Sequence, residues 1–294
     1  MTDLVVVGMA YFEVFVPPHE PVAAGEELFV EGIHLALGGA LNTASVAAAL
    51  GLQVTLCVPM GGGIVDQAVQ LLAGRLNITL VPLAAPDNPA ISLVFSNASD
   101  RSFVSTAELD VLASLEHLPA SAWVHVPGLE EADRLAAPLA KARSEGARIS
   151  VSGSWSPVQL ARLRERSNAP WDLLVLNEKE ALAACGDVLR APELLAGAAA
   201  SVVVTQGPNG AFGAFDGAAL RVPACAAQSA LPVDTTGAGD AFCAGLIAAL
   251  LRGAPPEAAL EHGTRAAARI LSQVGGLVVD PALMTDLKQR SWNS

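Results

Sequence analysis

Short hydrophobic runs alternate with longer amphipathic segments along most of this chain. Residues 4–8 form a continuous apolar run of strand length and residues 54–58 a mostly apolar one, as expected for parallel strands buried on both faces. The later part of the chain predicts strands at 122–126, 148–151, 172–176 and 201–205, with helices near 130–145, 157–166, 178–184 and 194–200 between them. This βα alternation predicts a mostly parallel sheet between two helical layers, which is a three-layer α/β/α sandwich.

Two stretches interrupt this rhythm and predict a smaller β structure. Residues 11–37 alternate only weakly between apolar and polar side chains and carry three prolines, which favours loops and exposed strands. Two β-rich runs within residues 90–106 flank a polar turn, which is a hairpin pattern. We predict that these stretches combine into a β lid, formed by about residues 12–36 and 90–106, on a single domain that spans residues 1–294.

The composition excludes several classes of protein. With 52% hydrophobic and 16% charged residues, the chain is too apolar to be disordered. Its net charge of −12, from 17 basic and 29 acidic residues, argues against nucleic acid or an anionic membrane as a partner. No apolar run approaches the roughly 20 residues that span a bilayer, and the four cysteines form no CxxC pair. We therefore expect a cytoplasmic protein with reduced thiols.

Residues 234–240, Asp-Thr-Thr-Gly-Ala-Gly-Asp, form a polar and glycine-rich stretch directly before an apolar helical run. The pattern predicts a tight turn into a helix N-terminus, where free backbone N–H groups and partial positive charge attract anions. Gly237 and Gly239 would let a phosphate approach the backbone closely. Asp240 lies in the same positive field. Two interpretations of it stay open: a helix cap, or a base beside a bound phosphoryl group.

Two common nucleotide-binding motifs are missing or incomplete. The chain has no GxxxxGK[ST] sequence, and Phe242 stands at the third glycine position of a dinucleotide fingerprint. Residues 234–242 instead resemble the C-terminal motif of the ribokinase-like (PfkB) carbohydrate and nucleoside kinases. Residues 38–44, Gly-Gly-Ala-Leu-Asn-Thr-Ala, resemble the N-terminal motif of the same family. The motifs occur in the family's order, almost 200 residues apart, and the resemblance covers nearly the whole chain.

The resemblance implies phosphoryl transfer from ATP with Mg²⁺. Asp240 matches the family's catalytic base, which takes the proton from a substrate hydroxyl as that oxygen attacks the γ-phosphorus. The N–H groups of Gly237, Ala238 and Gly239, together with the helix dipole, would form the anion hole. Asp234 and the carbonyl groups near residues 271–276 match a monovalent-cation site, K⁺ by type. The motif leaves open whether this chain holds the ion.

Further residues match the family's substrate and nucleotide sites. The resemblance implies substrate-binding roles for Glu13, Gly38, Gly39, Asn42, Arg101 and Glu130. It implies nucleotide-binding roles for Asn177, Thr205, Gly207 and Gly210, with Glu180 placing Mg²⁺ through water. Glu13 stands where many members carry Asp, and Ala40 stands where typical ribokinases carry Lys, so the identity of the acceptor stays open. For each polar residue a structural role, such as a helix cap or a solvated turn, remains the alternative.

The chain is therefore interpreted as an ATP-dependent kinase with a ribokinase-like fold that phosphorylates a hydroxymethyl group of a sugar or sugar-like compound. Two alternatives stay open. One is a nucleoside kinase of the adenosine, inosine or pseudouridine type, and the other is a non-catalytic ligand-binding protein on the same fold. Pairing of the lids of two subunits would cover exposed strand edges, so a homodimer is expected.

Overall fold

The computed structural model describes residues 2–96, 101–225 and 234–288. Its strands are β1 (Thr2–Val7), β2 (Ala10–Val16), β3 (His34–Gly39), β4 (Val54–Pro59), β5 (Thr79–Leu83), β6 (Ile91–Ser96), β7 (Arg101–Thr106), β8 (Ser121–Val126), β9 (Arg148–Ser152), β10 (Trp171–Asn177), β11 (Ala199–Thr205), β12 (Ala211–Phe215) and β13 (Ala218–Val222). Its α-helices are α1 (Ala40–Ala49), α2 (Ile64–Arg75), α3 (Leu129–Arg134), α4 (Ala136–Ser144), α5 (Pro157–Arg162), α6 (Glu178–Cys185), α7 (Ala191–Leu194), α8 (Ala238–Leu251), α9 (Pro256–Ile270) and α10 (Thr285–Lys288).

A large sheet forms the middle layer, with the strand order β13-β12-β11-β10-β9-β8-β1-β4-β5. The strands from β11 to β5 run parallel, and β12 and β13 are added as an antiparallel hairpin. One apolar cluster packs α1, α2, α8 and α9 on one face, and a second packs α3 to α7 on the other. The predicted three-layer α/β/α fold class is confirmed. None of the described helices is long and apolar enough to cross a lipid bilayer.

A second, smaller sheet has the strand order β3-β2-β6-β7. Its β6–β7 pair is antiparallel, as predicted, and the turn between them (97–100) lies outside the described residues. Because β2 starts only three residues after the end of β1, this sheet begins at the carboxyl edge of the large one. One row across it, on the face opposite Glu13, consists of apolar residues, namely Leu35, Val14, Leu93 and Val104.

Some elements differ from the sequence prediction for identifiable reasons. The predicted helix 130–145 is two helices, α3 and α4, that meet at Leu135. The predicted helix 194–200 is wrong, because α7 ends at Leu194 and β11 begins at Ala199. The β-branched residues that follow in β11 pair with β10 inside the sheet, and this tertiary context outweighs the helix preference of alanine. The edge strand β5 was missed because it is only partly buried and contains Pro82.

Candidate active site

The predicted site residues lie where the strands of the large sheet end. In open α/β sheets, ligands bind outside the carboxyl ends of the parallel strands. The loops that follow β10 and β11 are joined directly, since the Gln206 Nε2 group donates to Glu178 Oε1 at 2.8 Å. Arg221 Nη1 in turn donates to Gln206 Oε1 at 2.9 Å. The loops after these strands therefore form one connected rim.

The N-terminus of α8 presents free backbone donors to open space. Gly237 precedes the helix in the left-handed region, with φ 75°, and a Cβ there would lie 2.2 Å from the Gly276 Cα. The Ala238 N–H, one of the three donors predicted for the anion hole, instead donates to the Thr235 carbonyl at 3.3 Å. The N–H groups of Gly239 and Asp240 find no acceptor among the residues that the structure describes. A Cβ on Gly239 would meet no atom within 4 Å, so there is room in front of the helix for an anion.

Asp240 joins the two motifs, which are 198 residues apart in sequence. Asn42 Nδ2 donates to Asp240 Oδ2 at 3.0 Å, and the Thr43 hydroxyl donates to Asp240 Oδ1 at 3.4 Å. The residue remains partly accessible. The loss of hydration around its carboxylate nevertheless raises the pKa of Asp240 to about 6, against the lowering effect of these two hydrogen bonds. Its carboxylate is thus ionised at neutral pH and still basic enough to accept a proton.

Asn42 also has an acceptor to spare. Its Oδ1 atom is buried and has no hydrogen-bond partner among the described residues. The start of α1 holds the side chain in place, because the Ala40 N–H donates to the Met9 carbonyl at 2.9 Å. Gly39 makes this approach possible, with φ 67° and with the Met9 oxygen 2.4 Å from where a Cβ would stand. A buried acceptor without a partner is the expected state of a group that binds a hydroxyl.

The buried carboxylate beside Met9 is Glu131, the neighbour of Glu130, whose substrate-binding role stays a prediction. Glu130 is partly exposed and pairs with Arg134 at 3.1 Å. Glu131 is only 7% exposed, and its Oε1 accepts the Met9 N–H at 2.8 Å. Burial raises the pKa of Glu131 to about 7, with a further contribution from the negative charge of Asp240. The sequence signal that could have found it is Gly128, the N-cap of α3, which leaves space for the Glu131 carboxylate.

Glu13 is the second buried carboxylate on the acceptor side. It is 6% exposed and lies opposite Ala36 and Ser92 in the small sheet. The carboxylate rests against Gly38, where a Cβ would stand 2.2 Å from Glu13 Oε1. Tyr11 lies two residues before Glu13 in the same strand. Burial raises the pKa of its hydroxyl group, and the nearby charge of Glu131 raises it further. The side chain of Arg101 lies outside the described part of the structure, so its predicted role stays a prediction.

On the nucleotide side, Asn177 and Glu180 form a reciprocal cap at the start of α6. The Glu180 N–H donates to Asn177 Oδ1 and the Asn177 N–H donates to Glu180 Oε2, each at 2.9 Å. Glu180 is buried, and burial raises its pKa, as does the charge of Asp240. Within the described ranges, no three His, Cys, Asp or Glu side chains converge to hold a metal ion. One carboxylate at the rim fits Mg²⁺ that is bound through water and phosphate oxygens.

The remaining predicted residues shape the adjoining loops. Thr205 ends β11, and its hydroxyl donates to the Leu176 carbonyl at 3.5 Å. Gly207 is exposed, and Gly210 packs against the backbone of Val222. The Asp234 carboxylate accepts the N–H groups of Thr236 at 2.5 Å and Gly275 at 2.9 Å. Asp234 thereby fastens the turn before α8 to the segment that follows α9.

Comparison with known proteins gives matches over nearly the whole chain. A family model described as the pfkB family carbohydrate kinase matches residues 1–282. The cytidine kinase of Thermococcus kodakarensis is 27% identical over 288 residues, which cover 94% of this chain and 98% of that protein. A crystal structure of adenosine kinase from Sinorhizobium meliloti has a TM-score of 0.78 at 22% identity, covering 98% of this chain and 99% of that chain. The structure of Arabidopsis thaliana ribokinase complexed with ribose and ATP has a TM-score of 0.76 at 19% identity, covering 99% and 100%.

Proposed function

Because the chain belongs to the pfkB family of carbohydrate kinases and is an ATP-dependent kinase, we propose that it transfers the γ-phosphate of ATP to a hydroxymethyl group. The acceptor is a sugar or a compound that contains a sugar. The observation that carries this proposal is the 3.0 Å hydrogen bond between Asn42 and Asp240, beside the free N–H groups of Gly239 and Asp240. A base, a hydroxyl-binding amide and an anion-binding helix end are the parts that phosphoryl transfer to an alcohol requires.

The phosphate end of ATP binds in front of α8. The N–H groups of Gly239 and Asp240 donate to the γ-phosphate oxygens, and the helix dipole stabilises the negative charge that moves through the transition state. Gly237 shapes this turn by its left-handed conformation. Asn177, Thr205, Gly207 and Gly210 lie on the rim that holds the rest of the nucleotide. Glu180 would orient Mg²⁺ through water, and the ion would neutralise the charge on the phosphates.

The proton step involves Asp240 and Asn42. The acceptor hydroxyl gives its proton to the Asp240 carboxylate while its oxygen forms a bond to the γ-phosphorus, and the bond from that phosphorus to the β–γ bridging oxygen breaks, releasing ADP. Asn42 Nδ2 holds the carboxylate in place, and its free Oδ1 accepts a second hydroxyl of the acceptor. Glu131 and Glu13 are further acceptors for sugar hydroxyls, with Gly38 and Gly39 allowing close approach.

A nucleoside is the more specific second candidate for the acceptor. The relative with the whole-length match acts on cytidine by its name, and one of the solved structures is an adenosine kinase. A nucleoside carries the same ribose hydroxymethyl group, so the Asp240 step is unchanged. The distinction between a sugar and a nucleoside then depends on what surrounds the far end of the acceptor.

The small sheet acts as a lid in this proposal and supplies a dimer contact. Its inward face carries Glu13, so its closure would shield the reaction from water. Its outward apolar row leaves Leu35 56% and Val104 62% exposed, which is the pattern of a surface that pairs with a second copy. Sedimentation velocity should therefore show a dimer at micromolar concentration, and Val104→Lys should shift it to monomer. A wild-type protein that sediments only as monomer would contradict the dimer.

Asp234 supports a proposed K⁺ site beside the anion hole. Its carboxylate links Thr236 to Gly275, which lies within the segment 271–276 whose carbonyl groups would complete the site. Turnover in KCl should exceed turnover in NaCl at equal ionic strength. Equal rates in the two salts would remove the ion from the proposal and leave the rest intact.

An acceptor screen tests the proposed function. ADP release from ATP and Mg²⁺ should be measured with pentoses, hexoses, sugar acids, inositols and nucleosides, against a blank without acceptor. At least one compound with a free hydroxymethyl group should raise ADP release well above the blank and appear as a phosphorylated product. A protein that binds such compounds but never phosphorylates one would be a binding protein on this fold, and the proposal would fail.

A further inference from the structure

A cavity of about 190 Å³ lies beside the proposed acceptor site. Its walls come from the link between β1 and β2, from the loop between β4 and α2, and from the loop between β5 and β6. The apolar part of the wall includes Pro59, Val65, Pro86 and Pro89. The cavity is large enough to hold a group, and none of the residues given a role above, apart from Met9, lines it.

Met9 joins this cavity to the site of phosphoryl transfer. Met9 lines the cavity, while its N–H group donates to the Glu131 carboxylate and its carbonyl group accepts the Ala40 N–H at the start of α1. Ala90, on the opposite wall, is fixed to the small sheet, because the Phe12 N–H donates to its carbonyl at 2.9 Å. An acceptor whose hydroxymethyl group lies at Asp240 and whose middle part lies along Glu131 therefore has this cavity ahead of its far end.

The charged groups of the cavity wall are acidic. Asp66 and Asp87 are the ionisable residues that line it, and neither Lys nor Arg is among the described lining residues. Two N–H groups just before α2 are taken up within the protein, because Asp66 Oδ2 accepts those of Gly61 at 3.0 Å and Gly63 at 2.8 Å. A phosphate or carboxylate in this cavity would face two carboxylates without a counter-charge, which is strongly unfavourable.

The loop that carries Asp87 is fixed by hydrogen bonds to the Glu108 carboxylate. Glu108 accepts the N–H groups of Asp87 and Asn88, each at 2.9 Å, and the Asn88 side-chain amide at 2.8 Å. The Asp87 carboxylate itself makes no hydrogen bond to any residue within the described ranges. Its side chain is exposed at the edge of an apolar slot, so its carboxylate is available as an acceptor. A flat ring with N–H donors on its rim and no negative charge matches this combination.

Resting on the proposed function, we infer that this cavity binds the far end of the acceptor and that this end is an uncharged ring bearing amino donors, as an aminated nucleobase does. The ring lies between the proline and valine walls, and its exocyclic amino group donates to Asp87. The acceptor class that follows is a nucleoside with an amino-substituted base. Sugar phosphates and sugar acids are excluded by charge.

Kinetics with cytidine, uridine and ribose test the inference. Gly61→Leu places a side chain toward the cavity, since a Cβ there has Pro86 O at 3.5 Å and no closer contact. It should raise KM for cytidine about tenfold or more while leaving KM for ribose within about twofold. Gly74→Leu, in α2 with nothing near its Cβ, is the matched control and should change neither value. Asp87→Asn should lower the cytidine-to-uridine ratio of kcat/KM by roughly tenfold, because it removes the charge from an acceptor of the amino group.

The possible results separate the two proposals. If wild-type protein phosphorylates none of these compounds and none in the wider screen, the proposed function itself fails. If it phosphorylates ribose but neither nucleoside, or if Gly61→Leu and Asp87→Asn change cytidine and ribose kinetics equally, the cavity assignment is overturned while the kinase proposal stands. Calorimetric titration of Asp87→Asn with cytidine provides a readout that does not depend on turnover. Unchanged affinity there would also overturn the assignment.

Discussion

The proposed phosphate side and the proposed acceptor side of the site are built in opposite ways. The phosphate side is one short turn, in which Gly237, Gly239 and Asp240 are almost consecutive and the working groups are mostly backbone N–H donors. The acceptor side is assembled from β2, α1, α3 and the β1–β2 link, and its working groups include the buried carboxylates of Glu13 and Glu131. One is a local motif, whereas the other exists only after the chain has folded.

This difference extends to energetics. A helix N-terminus that faces solvent satisfies its N–H groups with water and carries little penalty when no ligand is bound. A buried carboxylate, in contrast, loses hydration, which raises the pKa of Glu131 to about 7 and that of Asp240 to about 6. Charges that a fold keeps in such unfavourable places are candidates for function. Substitutions on the phosphate side should therefore lower activity without lowering stability. Substitutions of the acceptor carboxylates should lower activity and raise stability.

Replacing the base should give the largest effect. Asp240→Asn should lower kcat by roughly 10²–10⁴-fold, because the hydroxyl loses its proton acceptor, while ATP binding by calorimetry stays largely intact. Wild-type kcat should fall about tenfold per pH unit below about pH 6, since Asp240 acts only when deprotonated. The variant's residual rate should lack this acid limb. Asp216→Asn, in the exposed β12–β13 turn, is the control and should behave as wild type. Near-normal turnover of Asp240→Asn would show that Asp240 is not the base.

Gly239→Ala tests whether the space in front of α8 is functional. The added methyl group meets nothing in the structure and should stabilise the helix by about 0.5–1 kcal/mol. It would nevertheless project into the proposed phosphate position, so kcat/KM for ATP should fall roughly 100-fold, the size of losing one anion-hole donor. Gly74→Ala in α2, also with nothing near its Cβ, should give the same gain in stability and unchanged kinetics. If both variants retain full activity, the anion is held elsewhere.

These two regions also show what the sequence could predict. The turn before α8 can be predicted because its glycines, its polar residues and the apolar run that follows lie within a few residues of one another. The buried parallel strands can also be predicted from the sequence, since burial on both faces makes them largely apolar runs. The burial of Glu131 rather than Glu130 could not be predicted, because it depends on where α3 starts against the sheet. Only the packing of Gly128 and Met9 around one of them decides it.

The small sheet, too, could be predicted only in part. Its strands were anticipated from weak alternation, but the pairing of β2 with both β3 and β6, which places Glu13 beside Ser92, depends on contacts between segments far apart in sequence. The cavity beside Met9 has the same origin, because three loops from different βα units meet there. Neither prolines nor isolated aspartates in those loops carry a signal on their own. On the acceptor side the sequence therefore predicts individual residues, such as Glu13 and Asn42, whereas their mutual arrangement comes from the structure.

A comparison of Glu131→Gln with Glu130→Gln tests which of these carboxylates binds the acceptor, and its expected effect is smaller. Glu131→Gln should raise KM for the acceptor by about 10-fold with little change in kcat, because a charged acceptor for substrate hydroxyls becomes neutral. Glu130→Gln removes only a partly exposed pair with Arg134 and should stay within about twofold of wild type in both constants. Steady-state kinetics with the best acceptor from the screen provide the measurement. The reverse ranking would restore Glu130 as the substrate residue.

The smallest expected effect is on stability, and it concerns the two carboxylates whose pKa values folding raises. Folding raises the pKa of Asp240 from 3.8 to about 6 and that of Glu131 from 4.5 to about 7. The folded state therefore binds these protons more tightly than the unfolded state, so these groups destabilise the fold increasingly as pH rises from about 4 to about 7. Asp240→Asn and Glu131→Gln should each raise the free energy of unfolding by about 1–2 kcal/mol at about pH 7.5, after allowance for partial solvent access, and by much less at about pH 4. Urea unfolding at both pH values measures this difference, with Asp216→Asn, in the exposed β12–β13 turn, as the control variant. Because the charge of Asp240 contributes to the raised pKa of Glu131, the double variant should gain less than the sum of the two single variants. A double variant that gains the full sum would mean that the charges of Asp240 and Glu131 do not interact, and the raised pKa of Glu131 would then come from burial without a contribution from Asp240.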